Sequence, residues 1–141
     1  LFVDHVNGEI LGDLVGVRHC GFYNRRGPFE TNEKSVIYTD PNKYKTYKGG
    51  GMSGGKKDNY LALSKWCYEM TEIDLANGTH ATWHDEGYLN RYFLDHEPDV
   101  LLSASFHYPQ KNLQYYKEGW GDNNFKPVLL LLDKNHAEIR N

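Results

Sequence analysis

In residues 58–76 the apolar side chains Leu63, Trp66, Cys67, Met70 and Ile73 recur at three- and four-residue steps. That period lays them along one side of an α-helix, so the stretch must bury a stripe against a partner layer. Asp58 is placed to cap its start, and Asn77-Gly78 to stop it. The partner layer is available in short apolar runs of strand length at residues 14–17, 100–102 and 128–132. A second helix is expected from about Glu86 to His96, with Leu89, Tyr92 and Phe93 facing inward and Pro98 just beyond. Strands alternating with helices predict an α/β fold, a mixed sheet with flanking helices.

A chain of 141 residues has the size of one domain. Its net charge of −3 gives no attraction to nucleic acid or acidic membrane surfaces. No apolar run approaches the ~20 residues that span a bilayer. Two cysteines, Cys20 and Cys67, do not make a disulfide framework. With 11 Tyr, 3 Trp and 7 His the chain is aromatic for its polarity, which suits carbohydrate, whose rings offer C–H faces and hydroxyls together. The same residues could simply fill a core. Leu1-Phe2-Val3 reads as the middle of a protein, so the chain is expected to be a fragment.

Polar, Gly- and Asn-rich residues 24–34 and 110–126 have the length of binding loops. Four segments carry candidate chemistry. His19-Cys20-Gly21-Phe22-Tyr23 follows an apolar strand, where α/β folds place ligand contacts, or it is a packed turn. Tyr47-Lys48-Gly49-Gly50-Gly51 and the glycines after it let backbone approach a ligand, or form a hinge. They match neither a P-loop nor a GxGxxG motif. Trp83-His84-Asp85-Glu86 sets an indole platform beside two carboxylates whose environments can separate their roles, or it is an acidic first turn. Lys134 and Arg140 can reach an anion such as a diphosphate, or stay solvated. His80, His84, Asp85 and Glu86 are close in sequence, but the Glu of H-E-x-x-H is absent, and no metal site is assigned.

In this order and spacing these segments resemble glycosyltransferase family 6, which includes blood-group A and B transferases, α1,3-galactosyltransferase, Forssman synthase and bacterial relatives. Gly8-Glu9-Ile10-Leu11, Gly21-Phe22-Tyr23, Ala76-Asn77-Gly78, Trp83-His84-Asp85-Glu86, Leu89-Asn90 and Lys134-Asn135-His136 carry the likeness, which spans the chain.

The resemblance implies the C-terminal, catalytic part of a single GT-A domain over residues 1–141, the nucleotide-binding N-terminal half lying upstream. It implies retaining α1,3 transfer of N-acetylgalactosamine or galactose from a UDP-sugar to a galactose-containing glycan, plain or fucosylated. Glu86 would be the catalytic carboxylate, as nucleophile or as anionic stabiliser. Donor contacts would be Asp85, Gly49, Gly50, Gly51, Lys134 and Arg140, the last two closing over the diphosphate. Acceptor-side contacts would be His19 and Trp83, with Gly21 near them. With glycine at all these positions no side chain is expected to close the space beside the donor's C2, which favours N-acetylgalactosamine. No cofactor is expected within this chain. Mn²⁺ would be required if the upstream segment were Asp-any-Asp, whereas Leu1-Phe2 looks more like the metal-independent bacterial branch. The expected location is the cytoplasm or the inner face of a bacterial membrane, or the Golgi lumen in an animal. Two rivals remain: an inactive fragment that keeps a sugar-binding surface, and a glycoside hydrolase, for which adjacent carboxyls are poorly placed.

Overall fold

The computed structural model describes residues 1–111, 113–118, 120 and 123–133. Strand β1 (Leu14–Val17) is buried at every position, as its unbroken apolar run requires. It is the middle of a three-stranded sheet. β2 (Gly54–Gly55) pairs with it antiparallel, and β3 (Val100–Leu102) pairs with it parallel, Val15 opposite Val100 and Val17 opposite Leu102. The chain covers the distance between β2 and β3 with two helices, α1 (Lys57–Ala76) and α2 (His84–Asp95). A second small sheet joins β4 (Tyr108–Pro109) to β5 (Leu130–Leu131) in parallel. Between them lies the short helix α3 (Leu113–Lys117). The architecture is the expected mixed α/β arrangement, and no helix among the described residues is long and apolar enough to cross a membrane.

The sheet separates two apolar layers. Leu14 points to α1 and α2, where it meets Leu63, Leu89, Tyr92 and Phe93. Val15 and Val17 pack on the other side with Leu102 and Phe106. The helix stripe is narrower than its periodicity suggests. Leu63 is buried and Trp66, Cys67 and Met70 are half-buried, whereas Ile73 is exposed. Its place is taken by Asp74, which is fully buried and accepts from the Ser35 hydroxyl (2.6 Å), the Val36 N–H (2.7 Å) and the Tyr88 hydroxyl (2.8 Å). The helix register thus turns one step toward a polar anchor that ties loop and α2 together.

Both helix starts differ from expectation. Lys56 occupies the N-cap of α1, and Asp58 lies inside the first turn, where it favours the positive end of the helix without capping it. The expected stop is present in full: Gly78 takes φ +68°, its N–H bonds to the Leu75 carbonyl at 3.0 Å, and the Thr79 N–H bonds to the Asp74 carbonyl at 2.9 Å. α2 starts at His84, ahead of Glu86, and His84 has φ +47°. A left-handed step at a non-glycine residue costs about 1–2 kcal/mol.

Candidate active site

Because β1 and β3 are parallel, the residues after them emerge on one edge, the carboxyl edge where α/β sheets hold ligands. His19 follows β1, and His107 follows β3 after a short 3-10 turn, Ala104–His107. β2 runs the other way, so Gly49, Gly50 and Gly51, which lead into it, reach the same edge. The first turn of α2 closes the group. The Gly50 N–H donates to Glu86 Oε2 at 2.7 Å, and a Cβ at Gly50 would stand 3.2 Å from that oxygen. The glycine lets backbone hold the carboxylate directly.

Asn90, one turn further along α2, fixes this contact. It is 1% exposed; its side chain accepts from the Lys48 N–H and donates to the Lys48 carbonyl, both at 2.7 Å, and donates to the Glu86 carbonyl at 3.0 Å. Sequence reasoning saw Asn90 only as part of a motif.

Glu86 keeps Oε1 free, and His19 Nε2 lies 4.0 Å from it. The Gly21 N–H donates to His19 Nδ1 at 2.9 Å, so the neutral ring carries its proton on Nε2, facing the carboxylate. Burial, helped by His107 and Arg25, brings the His19 pKa down to about 3, so the ring is neutral in use. At 4.0 Å the two groups form neither an ion pair nor a hydrogen bond. Burial also pushes the Glu86 carboxyl above the usual carboxylate range; the Gly50 N–H pulls it back, and Asp85 pushes it up. Tyr47 is 1% exposed, and its hydroxyl finds no hydrogen-bond partner among the described residues. Burial and the Glu86 charge drive its own pKa upward.

The remaining expected contacts are distributed as follows. Asp85 is exposed and shares with Gly50, Ser53 and Tyr60 a cavity of about 220 Å³. That is below the roughly 300–1,000 Å³ of drug-sized sites. Trp83 precedes α2 with 50% of its surface exposed, as a platform needs. Lys134 and Arg140 lie outside the described residues. A larger hollow of about 500 Å³, between Tyr44 and Arg91, contains none of the expected site residues.

The space beside the glycines is not open. A Cβ at Gly49 would meet His107 Nε2 at 2.2 Å, and one at Gly51 would meet Leu131 Cδ2 at 2.8 Å and His107 at 3.3 Å. Gly21 is likewise covered, by Tyr116 at 3.1 Å. The Cβ directions of Gly49, Gly51 and Gly21 thus lead onto other side chains, the rings of His107, from the turn after β3, and Tyr116, from α3. The rule that found His19 at the end of β1 would have found His107 beyond β3.

His19, Cys20 and His107 hold potential metal-ligand atoms within 4.8 Å of one another. The set is nonetheless built as a neutral hydrogen-bonded group. The Cys20 N–H donates to His107 Nδ1 at 3.5 Å, with Cys20 Sγ 3.3 Å from the same nitrogen, and the Gly21 N–H occupies His19 Nδ1. Burial raises the Cys20 thiol to about 12, away from the thiolate a metal requires. The sequence-adjacent candidates are no better: the His80 and His84 rings stack 5.7 Å apart, and His80 Nδ1 faces the Ala81 carbonyl at 3.1 Å.

The profile of Glycosyltransferase family 6 matches residues 1–141. The chain is 38% identical over 143 residues to "Histo-blood group ABO system transferase 1" of Rattus norvegicus, covering 99% of this chain and 40% of that protein. It is 33% identical over 142 residues to "Globoside alpha-1,3-N-acetylgalactosaminyltransferase 1" of Gallus gallus, covering 94% and 38%. It is 36% identical over 102 residues to "O-antigen biosynthesis glycosyltransferase WbnI" of Escherichia coli, covering 70% and 43%. The chain thus spans about two-fifths of the length of these relatives.

Proposed function

This chain belongs to glycosyltransferase family 6, and we propose that it is the C-terminal catalytic part of a GT-A enzyme that transfers a sugar from a UDP-sugar to a galactoside with retention. The observation that carries this reading is the 4.0 Å gap between His19 Nε2 and Glu86 Oε1, with Oε2 tethered by Gly50. One hydroxyl oxygen fits such a gap, accepting from the imidazole and donating to the carboxylate. The acceptor hydroxyl takes that position. Its oxygen bonds to the anomeric carbon, the carbon's bond to the diphosphate oxygen breaks with its electron pair leaving on UDP, and the hydroxyl proton passes to the leaving phosphate oxygen on the same face. Retention needs Glu86 either to form a covalent sugar ester first or to stabilise an oxocarbenium-like centre while the acceptor enters on the leaving-group face.

Asp85, exposed at the 220 Å³ cavity, holds donor hydroxyls, and Trp83 packs against the acceptor sugar. Lys134 and Arg140 offset the diphosphate charge, so Lys134→Ala and Arg140→Ala should each weaken UDP binding; unchanged affinity in both variants would remove them from this role. N-acetylgalactosamine ranks ahead of galactose as donor sugar, in keeping with the relative from Gallus gallus named for that activity. No residue of this chain is assigned to a metal. Mn²⁺ would be held upstream, if at all.

The test is a transfer assay of the full-length protein with UDP-N-acetylgalactosamine or UDP-galactose and a galactoside, the new linkage being read by NMR. An α-linked product supports the reading. Hydrolysis of free glycosides without a UDP donor would point to a glycosidase instead. The 141-residue chain assayed beside it should bind the galactoside and turn over nothing, because the half expected to bind the nucleotide lies upstream and Lys134 and Arg140 alone do not make its pocket.

A further inference from the structure

Residues 24–34 have the length of a binding loop, yet Gly27, Phe29 and Glu30 within it are buried. Glu30 is 4% exposed, and its carboxylate reaches across 52 residues of chain to the turn that leads into α2. Oε2 accepts from the Thr82 N–H at 2.5 Å, and Oε1 accepts from the Asn32 N–H at 2.7 Å and the Thr82 hydroxyl at 3.4 Å. Asn32 adds a second tie, its Nδ2 donating to the Thr79 hydroxyl oxygen at 3.1 Å. Thr82 is followed at once by Trp83, the indole assigned to the acceptor sugar. From these bonds we infer that Glu30 is a positioning residue, the buried carboxylate that aims Trp83 at the acceptor. The inference rests on the glycosyltransferase reading above.

Trp83 needs such a hold because packing supplies little of it. Its indole is 50% exposed, so the direction it takes is set by the backbone beneath it. That backbone is a tight step: the His84 N–H bonds back to the Ala81 carbonyl at 3.1 Å, and His84 carries the left-handed φ of +47°. A step of this kind persists only where its surroundings hold it. Ala81 fixes one end, fully buried against Ile37 and Tyr88, with its N–H donating to the Tyr88 hydroxyl at 3.3 Å. Thr82, between that end and Trp83, is exposed, and Glu30 is what holds its N–H. A carboxylate buried this far is costly unless its oxygens are satisfied, and here each accepts from a backbone N–H. Without Glu30 the Thr82 peptide can rotate, and the side chain one residue on swings with it.

Steady-state kinetics of the full-length protein test this, with a galactoside that the wild type accepts. Glu30→Ala should raise the KM for the galactoside by about tenfold, while kcat and the affinity for the UDP-sugar change much less. Glu30→Gln, which keeps an acceptor for the Thr82 N–H, should raise that KM by a smaller factor. In a Trp83→Ala background, which itself raises the galactoside KM, Glu30→Ala should add little, because the ring it aims is gone. A role confined to the fold would lower Tm and kcat at unchanged KM. That result, or KM losses that multiply in the double variant, overturns the inference and leaves the functional reading standing. Should Glu30→Ala not fold, Glu30→Gln decides: a raised galactoside KM supports the inference and a wild-type KM overturns it. A wild-type galactoside KM in Trp83→Ala overturns the acceptor contact and the inference together, and a wild-type protein that transfers no sugar overturns the functional reading as well.

Discussion

The side chain of Asn90 brackets the peptide of Lys48, accepting from its N–H and donating to its carbonyl, each at 2.7 Å. Because Asn90 also donates to the Glu86 carbonyl, one buried amide sets α2 and the glycine segment in fixed relation. Replacing it with the similarly sized Leu leaves the Lys48 N–H and carbonyl buried without partners. Asn90→Leu should cost roughly 2–4 kcal/mol in urea unfolding. It should also lower kcat, because the Gly50 N–H would no longer be aimed at Glu86. Wild-type stability in that variant would show that Lys48 finds other partners.

Asp74 is a second buried anchor, and its three donors come from Ser35, Val36 and Tyr88. Asp74→Ala orphans all of them, and a loss of roughly 3–5 kcal/mol is expected. Asp74→Asn, which keeps an acceptor, should cost less. Equal losses in the two variants would mean that packing, and not hydrogen bonding, holds this corner.

Acid should weaken the fold through its buried histidines. Burial lowers His19 to about 3 and His107 to about 4, against 6.5 for the unfolded chain. Between those values the unfolded state binds protons that the folded state refuses, so the contribution is complete above about pH 6.5 and is lost as pH falls through 4 toward 3. Urea midpoints should fall over that range, and His107→Gln should flatten the slope. An unaltered slope in His107→Gln would show that the imidazole titrates normally in the fold.

Glu86 has the opposite sign. Its carboxyl is raised by burial, so the fold favours the protonated form, and the stability it brings is lost as pH rises from about 4.3 through the raised folded value. The acid limb of kcat/KM should accordingly lie above the ordinary carboxylate range. Glu86→Gln should unfold at a higher temperature than wild type at neutral pH, while it loses activity. A lower Tm would mean that the charge helps the fold.

Much of this arrangement was legible in the sequence. Val100 to Leu102 and Leu14 to Val17 are strands at the expected positions, since a short apolar run between polar segments admits few other fates. Gly78 ends its helix because a left-handed turn was needed there. Ile73 misled, since periodicity registers apolar character and cannot weigh it against a buried carboxylate one residue on that satisfies three donors. The pairing of Glu86 with Gly50 crosses 36 residues, and that of His107 with Cys20 crosses 87. Such contacts depend on β1 and β3 lying parallel, which no local pattern encodes. The His107 ring meets Gly49 and Gly51 for the same reason, arriving from the turn after β3.

The central claim is that Glu86 acts at the anomeric centre with its free Oε1, and one comparison addresses it most directly. The full-length wild-type protein and Glu86→Gln are assayed for release of UDP with a galactoside present, beside a direct measurement of UDP-sugar affinity. The Gln side chain can still accept from the Gly50 N–H, so shape and donor binding should survive, while kcat falls by about two to four decades as the charge is lost. Turnover near the wild-type rate in Glu86→Gln would contradict the assignment.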